Sequence, residues 1–147
     1  MRIALGQLES GTDINANLVA IDRFAAAAAG DGAALVAFPE YAAYEKKKVD
    51  ATFPEVAEPL DGPVCRELAS TARRHSIALV AGVVETSEEP GKAYNTLVAF
   101  GPDGDRLAFY RKIHLFDARV SGNRRSSSRV RPPARWCLSP AECGSAS

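Results

Sequence analysis

Two charged residues sit at the ends of segments that otherwise read as buried strand. Leu35-Val36-Ala37-Phe38 is a continuous apolar run that leads straight into Pro39-Glu40, and Arg106-Leu107-Ala108-Phe109-Tyr110-Arg111 leads into Lys112. Burying a charge is costly unless it is paired or used, so a carboxylate and an ammonium delivered in this way are candidates for one polar site inside an apolar shell. Both follow apolar runs that must share one sheet, so Glu40 and Lys112 are expected to approach each other at the ends of neighbouring strands. The plain alternatives are a carboxylate capping nearby backbone amides for Glu40 and a solvated edge-strand charge for Lys112. Cys65 and His75 fall within a helical pattern with no reactive partner nearby in sequence, and read as packing or surface residues.

The elements that must hold the pair follow from periodicity. Arg2 to Gln7 forms a short apolar strand, Gly11-Thr12-Asp13 breaks it, and Ile14, Leu18, Ile21, Ala25 and Ala28 recur at helical spacing until Gly30-Asp31-Gly32. Leu35 to Phe38 is apolar throughout, as expected of a strand covered on both faces. Residues 41–60 carry Lys46-Lys47-Lys48, Pro54 and Pro59, and read as a loop with room for a helical turn over the site; the lysine run fits a solvated face better than a device for steering an anion. Gly62-Pro63 opens a second helix with Val64, Leu68 and Ala72 on its apolar face, and Ile77 to Val84 is a third strand ending at Glu85. Ala93–Phe100 and Arg106–Lys112 are two further strands joined by Gly101-Pro102-Asp103-Gly104-Asp105, whose Asp-Gly is a hairpin signal. The order β-α-β-α-β followed by a hairpin predicts an α/β fold: a mixed sheet with helices on one face.

The chain has 147 residues, of which 46% are hydrophobic, enough for a single globular domain. Its formal charge of zero conceals two compositions: residues 1–117 carry 12 basic and 17 acidic side chains, residues 118–147 six arginines and one glutamate. The first residues turn polar too soon for a signal peptide and no apolar run approaches a membrane span, so the chain is expected to be soluble and cytoplasmic, with no membrane partner. Three cysteines, Cys65, Cys137 and Cys143, without C-x-x-C spacing fit a reducing compartment and argue against both a disulfide framework and a zinc site.

Phe38-Pro39-Glu40, the Gly62-Pro63 helix start, Tyr94-Asn95-Thr96 and Tyr110-Arg111-Lys112-Ile113-His114-Leu115-Phe116-Asp117 stand in an order and spacing that resembles the carbon–nitrogen hydrolase (nitrilase) superfamily over about residues 1–117. The resemblance implies the N-terminal part of an α-β-β-α sandwich, incomplete here. It also implies a Glu-Lys-Cys triad acting on a small-molecule amide or nitrile without metal or organic cofactor, and a homo-oligomer for the complete enzyme. Glu40 matches the general base that takes the thiol proton, and Lys112 the cation that stabilises the tetrahedral intermediate. Such a pair makes chemical sense, because a cysteine attacking a poor electrophile needs a base beside it and positive charge where the oxyanion grows. The substrate-binding residues are not readable. The third member departs from the pattern: the nucleophile belongs at a tight turn after another apolar strand, and Cys65, Cys137 and Cys143 all lack that setting.

Three functions compete on this reading. The first is an amidase-type hydrolase, truncated and without its nucleophile, so that this chain alone is inactive. The second is a catalytically silent fragment or interaction module. The third, RNA binding through the arginine-rich tail, ranks last because Trp136 is the tail's one aromatic, and no nucleic-acid partner is expected. Residues 118–147, rich in arginine, serine and proline, have no apolar periodicity and are expected to be disordered. Their composition is also that of misread GC-rich codons. A frame taking the third base of each codon with the first two of the next permits Gly-Phe-Arg-Glu-Ser-Glu and then valines from residue 119 onward, an apolar strand where the visible tail has none. Sequencing the gene checks this: the shifted frame is expected to encode that string, and an early stop in that frame would refute it.

Overall fold

The computed structural model describes residues 1–47 and 52–113. The elements run β1 (Ile3–Leu5), α1 (Ile14–Gly30), β2 (Leu35–Ala37), a 3-10 turn (Phe53–Val56), α2 (Pro63–His75), β3 (Ala78–Thr86), β4 (Ala93–Phe100) and β5 (Arg106–Arg111). They agree with the sequence reading to within a few residues at each end. The tail from residue 114, with Cys137 and Cys143, lies outside the described residues, as do Lys48 to Ala51.

Both helices have clear boundary chemistry. Asp13 caps α1 by accepting the Ala16 amide at 3.0 Å, and the Glu58 carboxylate accepts the Val64 amide at 2.8 Å at the start of α2, where Pro63 occupies the first turn. Arg73, Arg74 and His75 fill the last turn of α2, where positive charge complements the helix dipole.

The five strands form one sheet in the order β1-β2-β3-β4-β5. The first three are parallel and the last two antiparallel. Successive right-handed crossovers that step the same way across the sheet put their helices on the same side. Accordingly Ile21, Ala25 and Ala28 of α1 and Val64, Leu68 and Ala72 of α2 share a core with Val36, Leu79, Ala81, Val83, Val98 and Phe100. The pairings Val36 with Leu79, Leu79 with Phe100 and Ala81 with Val98 confirm that these strand residues face one way.

The hairpin between β4 and β5 is tied to α2. Gly104 takes φ +84 within 2.8 Å of the Ala69 carbonyl, reckoned from where a Cβ would stand, and Arg73 Nε donates to the Asp103 carbonyl at 2.8 Å. Only glycine fits a left-handed turn pressed so closely against a helix.

Among the described residues, the opposite face of the sheet has no α-helix. On β1, Ile3 is 50% and Leu5 82% exposed. Near the C-terminal end of β3 this face is covered by the chain after β2, where Tyr44, Phe53 and Val84 form a small second cluster joined by Tyr41. Phe53 is edge-on to both Tyr41 and Tyr44, with centroid separations of 5.7 and 5.6 Å. The segment read as an irregular loop is therefore anchored by aromatic packing beside the predicted site, with one turn of 3-10 helix in it.

Candidate active site

Glu40 and Lys112 meet. Lys112 Nζ donates to Glu40 Oε1 at 2.5 Å, across 72 positions of sequence. The expectation that their strands are neighbours is corrected by the strand order, in which β3 and β4 lie between β2 and β5. The contact is possible because the chain does not stop at the end of β2. Phe38 still pairs with β3 through its amide and the Val80 carbonyl at 2.8 Å, and the segment then passes over the helix-free face. The Gly82 amide donates to the Pro39 carbonyl, and the Ala43 amide to the Gly82 carbonyl, both at 3.2 Å. A Cβ on Gly82 would stand 1.4 Å from the Glu40 carbonyl oxygen and 2.1 Å from its carbon. The backbone of Glu40 therefore rests on the bare Cα of Gly82, in the middle of a strand, and this close approach carries the carboxylate towards β4 and β5.

Lys112 is held by its own backbone. Its amide donates to the Asn95 carbonyl at 2.8 Å, continuing the β4–β5 ladder one step beyond the last strand residue. Asn95 also donates through its side chain to Glu40 Oε1. Burial raises the pKa of the nearby Tyr41 phenol, with the Glu40 carboxylate adding to the effect. The Glu40 carboxyl lies below its ordinary pKa because Lys112 and Asn95 hydrogen-bond its ionised form, which outweighs partial burial. The Lys112 ammonium is shifted up for the reciprocal reason, its hydrogen bond to Glu40. Both groups are charged at neutral pH.

Alternation along β5 puts Arg111 on the other face. There it grips Glu85 with two contacts, Nε to Oε2 at 2.9 Å and Nη2 to Oε1 at 2.6 Å, while Thr96 Oγ1 donates to Oε2 at 2.6 Å. Glu85 is 4% exposed, and the Arg111 guanidinium stacks over Tyr94 at 4.5 Å from the ring centroid. Tyr94-Asn95-Thr96 thus divides its labour. Asn95 serves the Glu40 face, and its two neighbours serve the Glu85–Arg111 pair. The sequence marks Glu85 only as a strand end and assigns Arg111 no role; a charge at the end of an apolar strand signals that each is paired or used, without naming its partner.

Cys65 belongs to neither arrangement. It is buried in the helix-facing core, where desolvation pushes its thiol up to about 11. A thiol held protonated in an apolar core is a packing group. His75 contacts Asp22 at 2.9 Å on the outer surface of the helices, in a charged cluster with Arg74 and Glu67. Among the described residues no group of His, Cys, Asp and Glu side chains converges as a metal site, and no helix is long and apolar enough to cross a membrane.

The family model for carbon-nitrogen hydrolase matches residues 2–144. The chain belongs to the carbon–nitrogen hydrolase family. It is 40% identical over 121 residues to the omega-amidase NIT2 of Homo sapiens, covering 82% of this chain and 43% of that protein. It is 42% identical over 120 residues to a hydrolase of Mycobacterium tuberculosis, covering 80% of this chain and 41% of that one. Among solved structures, the amidase from Nesterenkonia sp. superposes with a TM-score of 0.69 at 30% identity, over 79% of this chain and 44% of that one. This carbon–nitrogen hydrolase chain therefore spans under half the length of these relatives. The mixed five-stranded sheet with its two helices is the nitrilase-superfamily fold in that part.

The contact at Gly82 generates a prediction for the Gly82→Ala variant. A methyl group 1.4 Å from the Glu40 carbonyl oxygen cannot be absorbed by a side-chain rotation, so the Pro39–Glu40 segment must lift off β3. Loss of about 2 kcal/mol or more is expected, in the range of overpacking a well-filled interior, together with loss of the Glu40–Lys112 contact. Urea denaturation and the Lys112 side-chain NMR signal check it; a variant as stable as the parent with the pair intact would refute it.

Proposed function

We propose that this chain carries the base and the oxyanion-stabilising cation of an amidase-type hydrolase that cleaves a non-peptide C–N bond through a Glu-Lys-Cys triad. The single observation that supports this most is the ionised Glu40–Lys112 pair, joined at 2.5 Å on the open face of the sheet. In this scheme Glu40 takes the proton of the cysteine thiol and the thiolate attacks the amide carbon. Lys112 stabilises the negative charge that grows on the carbonyl oxygen. Collapse of the tetrahedral intermediate breaks the C–N bond, and the proton held by Glu40 leaves with the amine, giving a thioester. Water, deprotonated by Glu40, then attacks the thioester, the thiol is regenerated and a carboxylic acid departs. A nitrile would follow the same first step with its nitrogen in the place of the oxyanion. No metal or organic cofactor takes part.

The nucleophile of this scheme is not Cys65, whose burial and raised pKa keep it a thiol. We place it in the part of the relatives' length that this chain does not match, and the chain by itself is then catalytically silent. The same missing part would cover the apolar surface at Ile3 and Leu5. The complete enzyme is proposed to be a homo-oligomer acting on a small amide or nitrile. Structures of the Nesterenkonia sp. amidase include a complex with butyramide and one in which acrylamide has added to the active-site cysteine, which makes small aliphatic amides the natural probes.

The 147-residue chain is expected to release no ammonia from butyramide. Joining residues 1–113 to the remaining part of the Nesterenkonia sp. amidase should restore release, and Glu40→Gln or Lys112→Met should lower it by about 10²-fold or more. Thiol-dependent turnover by the 147-residue chain, or a folded, active chimera indifferent to both substitutions, would refute the proposal.

A further inference from the structure

Of the two oxygens on Glu40, one is taken twice. Lys112 Nζ and the Asn95 carboxamide both donate to Oε1, so the carboxylate is anchored at that end. An ionised carboxylate can only accept, so the contact fixes which end of the Asn95 carboxamide faces it: the NH₂. The same residue's backbone carbonyl accepts the Lys112 amide at 2.8 Å. Asn95 thus touches both members of the pair, the carboxylate through its side chain and the lysine through the strand ladder.

We propose that Asn95 is the positioning residue of this site, one that pins Glu40 by Oε1 alone and so presents Oε2 as the oxygen that accepts a proton. The geometry favours this over a merely structural amide. Lys112 Nζ is a rotatable point donor on a flexible stem and cannot by itself fix the plane of a carboxylate. A second donor from a residue seated in β4 removes that freedom. It also makes the two oxygens unequal: protonation at Oε1 would break two hydrogen bonds, protonation at Oε2 would leave both in place. Asn95 lies on the helix-free face with Glu40 and Lys112, whereas its neighbours Tyr94 and Thr96 face Arg111 and Glu85 on the other, so its side chain is not needed for that buried pair.

The inference rests on reading Glu40 as the base, and its test does not depend on turnover. In the 147-residue chain, the Glu40 carboxyl carbon and the Asn95 side-chain nitrogen are followed by NMR from neutral to acid pH. The Asn95 nitrogen is expected to titrate with the Glu40 midpoint. Asn95→Ala should raise that midpoint by about half to one pH unit, since a donor to the charged form is lost, and Asn95→Asp should raise it at least as far. The Lys112 amide should keep its exchange protection in each variant, because the backbone bond is untouched. In the active chimera, the acidic limb of the kcat/KM profile should move up with the midpoint. An Asn95 nitrogen that does not respond to Glu40, measurable without any substitution, would overturn the proposal. So would an unchanged midpoint in Asn95→Ala, or a shift accompanied by loss of Lys112 protection. A chimera indifferent to Glu40→Gln would instead sink the hydrolase reading and leave the titration result standing.

Discussion

The site depends on a piece of backbone lying on another. Between β2 and the loop that follows, the chain must leave one strand and arrive above the two strands beyond its neighbour, and it does so by resting the Glu40 peptide on Gly82. No side chain fits there, and glycine within a strand lowers strand stability. What the substitution of any larger residue would cost, the fold avoids by giving up strand propensity at one position. In return the carboxylate of Glu40, beyond the end of β2, reaches Asn95 of β4 and Lys112, and the hydrogen bonds from Gly82 to Pro39 and from Ala43 to Gly82 hold its backbone there.

Two ion pairs then share the last two residues of the β5 segment, one on each face, and their settings decide what each is for. Glu85 is almost fully buried and doubly bound by Arg111, so removing Arg111 leaves a buried carboxylate without its cation, a loss that reaches about 3–5 kcal/mol in fully buried pairs, whereas removing Glu85 leaves a guanidinium already 46% exposed to water. That pair locks β3, β4 and β5 together at the site end. The Glu40 and Lys112 side chains are 48% and 34% exposed, and pairs so open contribute about 1 kcal/mol at most. A glycine held bare in a strand, a diverted backbone and a dedicated asparagine are a large investment for so little stability. They are understandable if the pair works on a ligand.

Much of this was legible from residue types. Apolar runs ending in Glu40 and Lys112 marked the pair, Asp13 and Gly62-Pro63 marked helix starts, and Asp103-Gly104 marked the hairpin. The order of strands was not legible, because short apolar strands of similar composition do not encode their neighbours, and so the pair was expected on adjacent strands rather than across two intervening ones. Gly82 carried a signal that went unread: a glycine inside Ala78–Thr86 indicates a close backbone approach. The Glu85–Arg111 lock was hidden because period-2 alternation says which faces residues take but not which side chains meet across strands. The aromatic anchoring of the loop by Tyr41, Tyr44 and Phe53 was equally invisible in a segment with no regular period.

Whether Glu40 and Lys112 form one ionised unit is decided by a double-mutant cycle. Unfolding free energies of the parent, Glu40→Gln, Lys112→Met and the double variant give the coupling energy at each pH. Glu40 is depressed in the folded state, so its contribution is present above the unfolded glutamate pKa of about 4.3 and is lost as pH falls through the lower folded value. Lys112 is raised, so its contribution is present below about 10.4 and is lost as pH rises through the higher folded value. A coupling of about 0.5–1 kcal/mol at pH 7 that declines at both extremes is expected. A coupling of zero at pH 7, or one that does not change with pH, would contradict it.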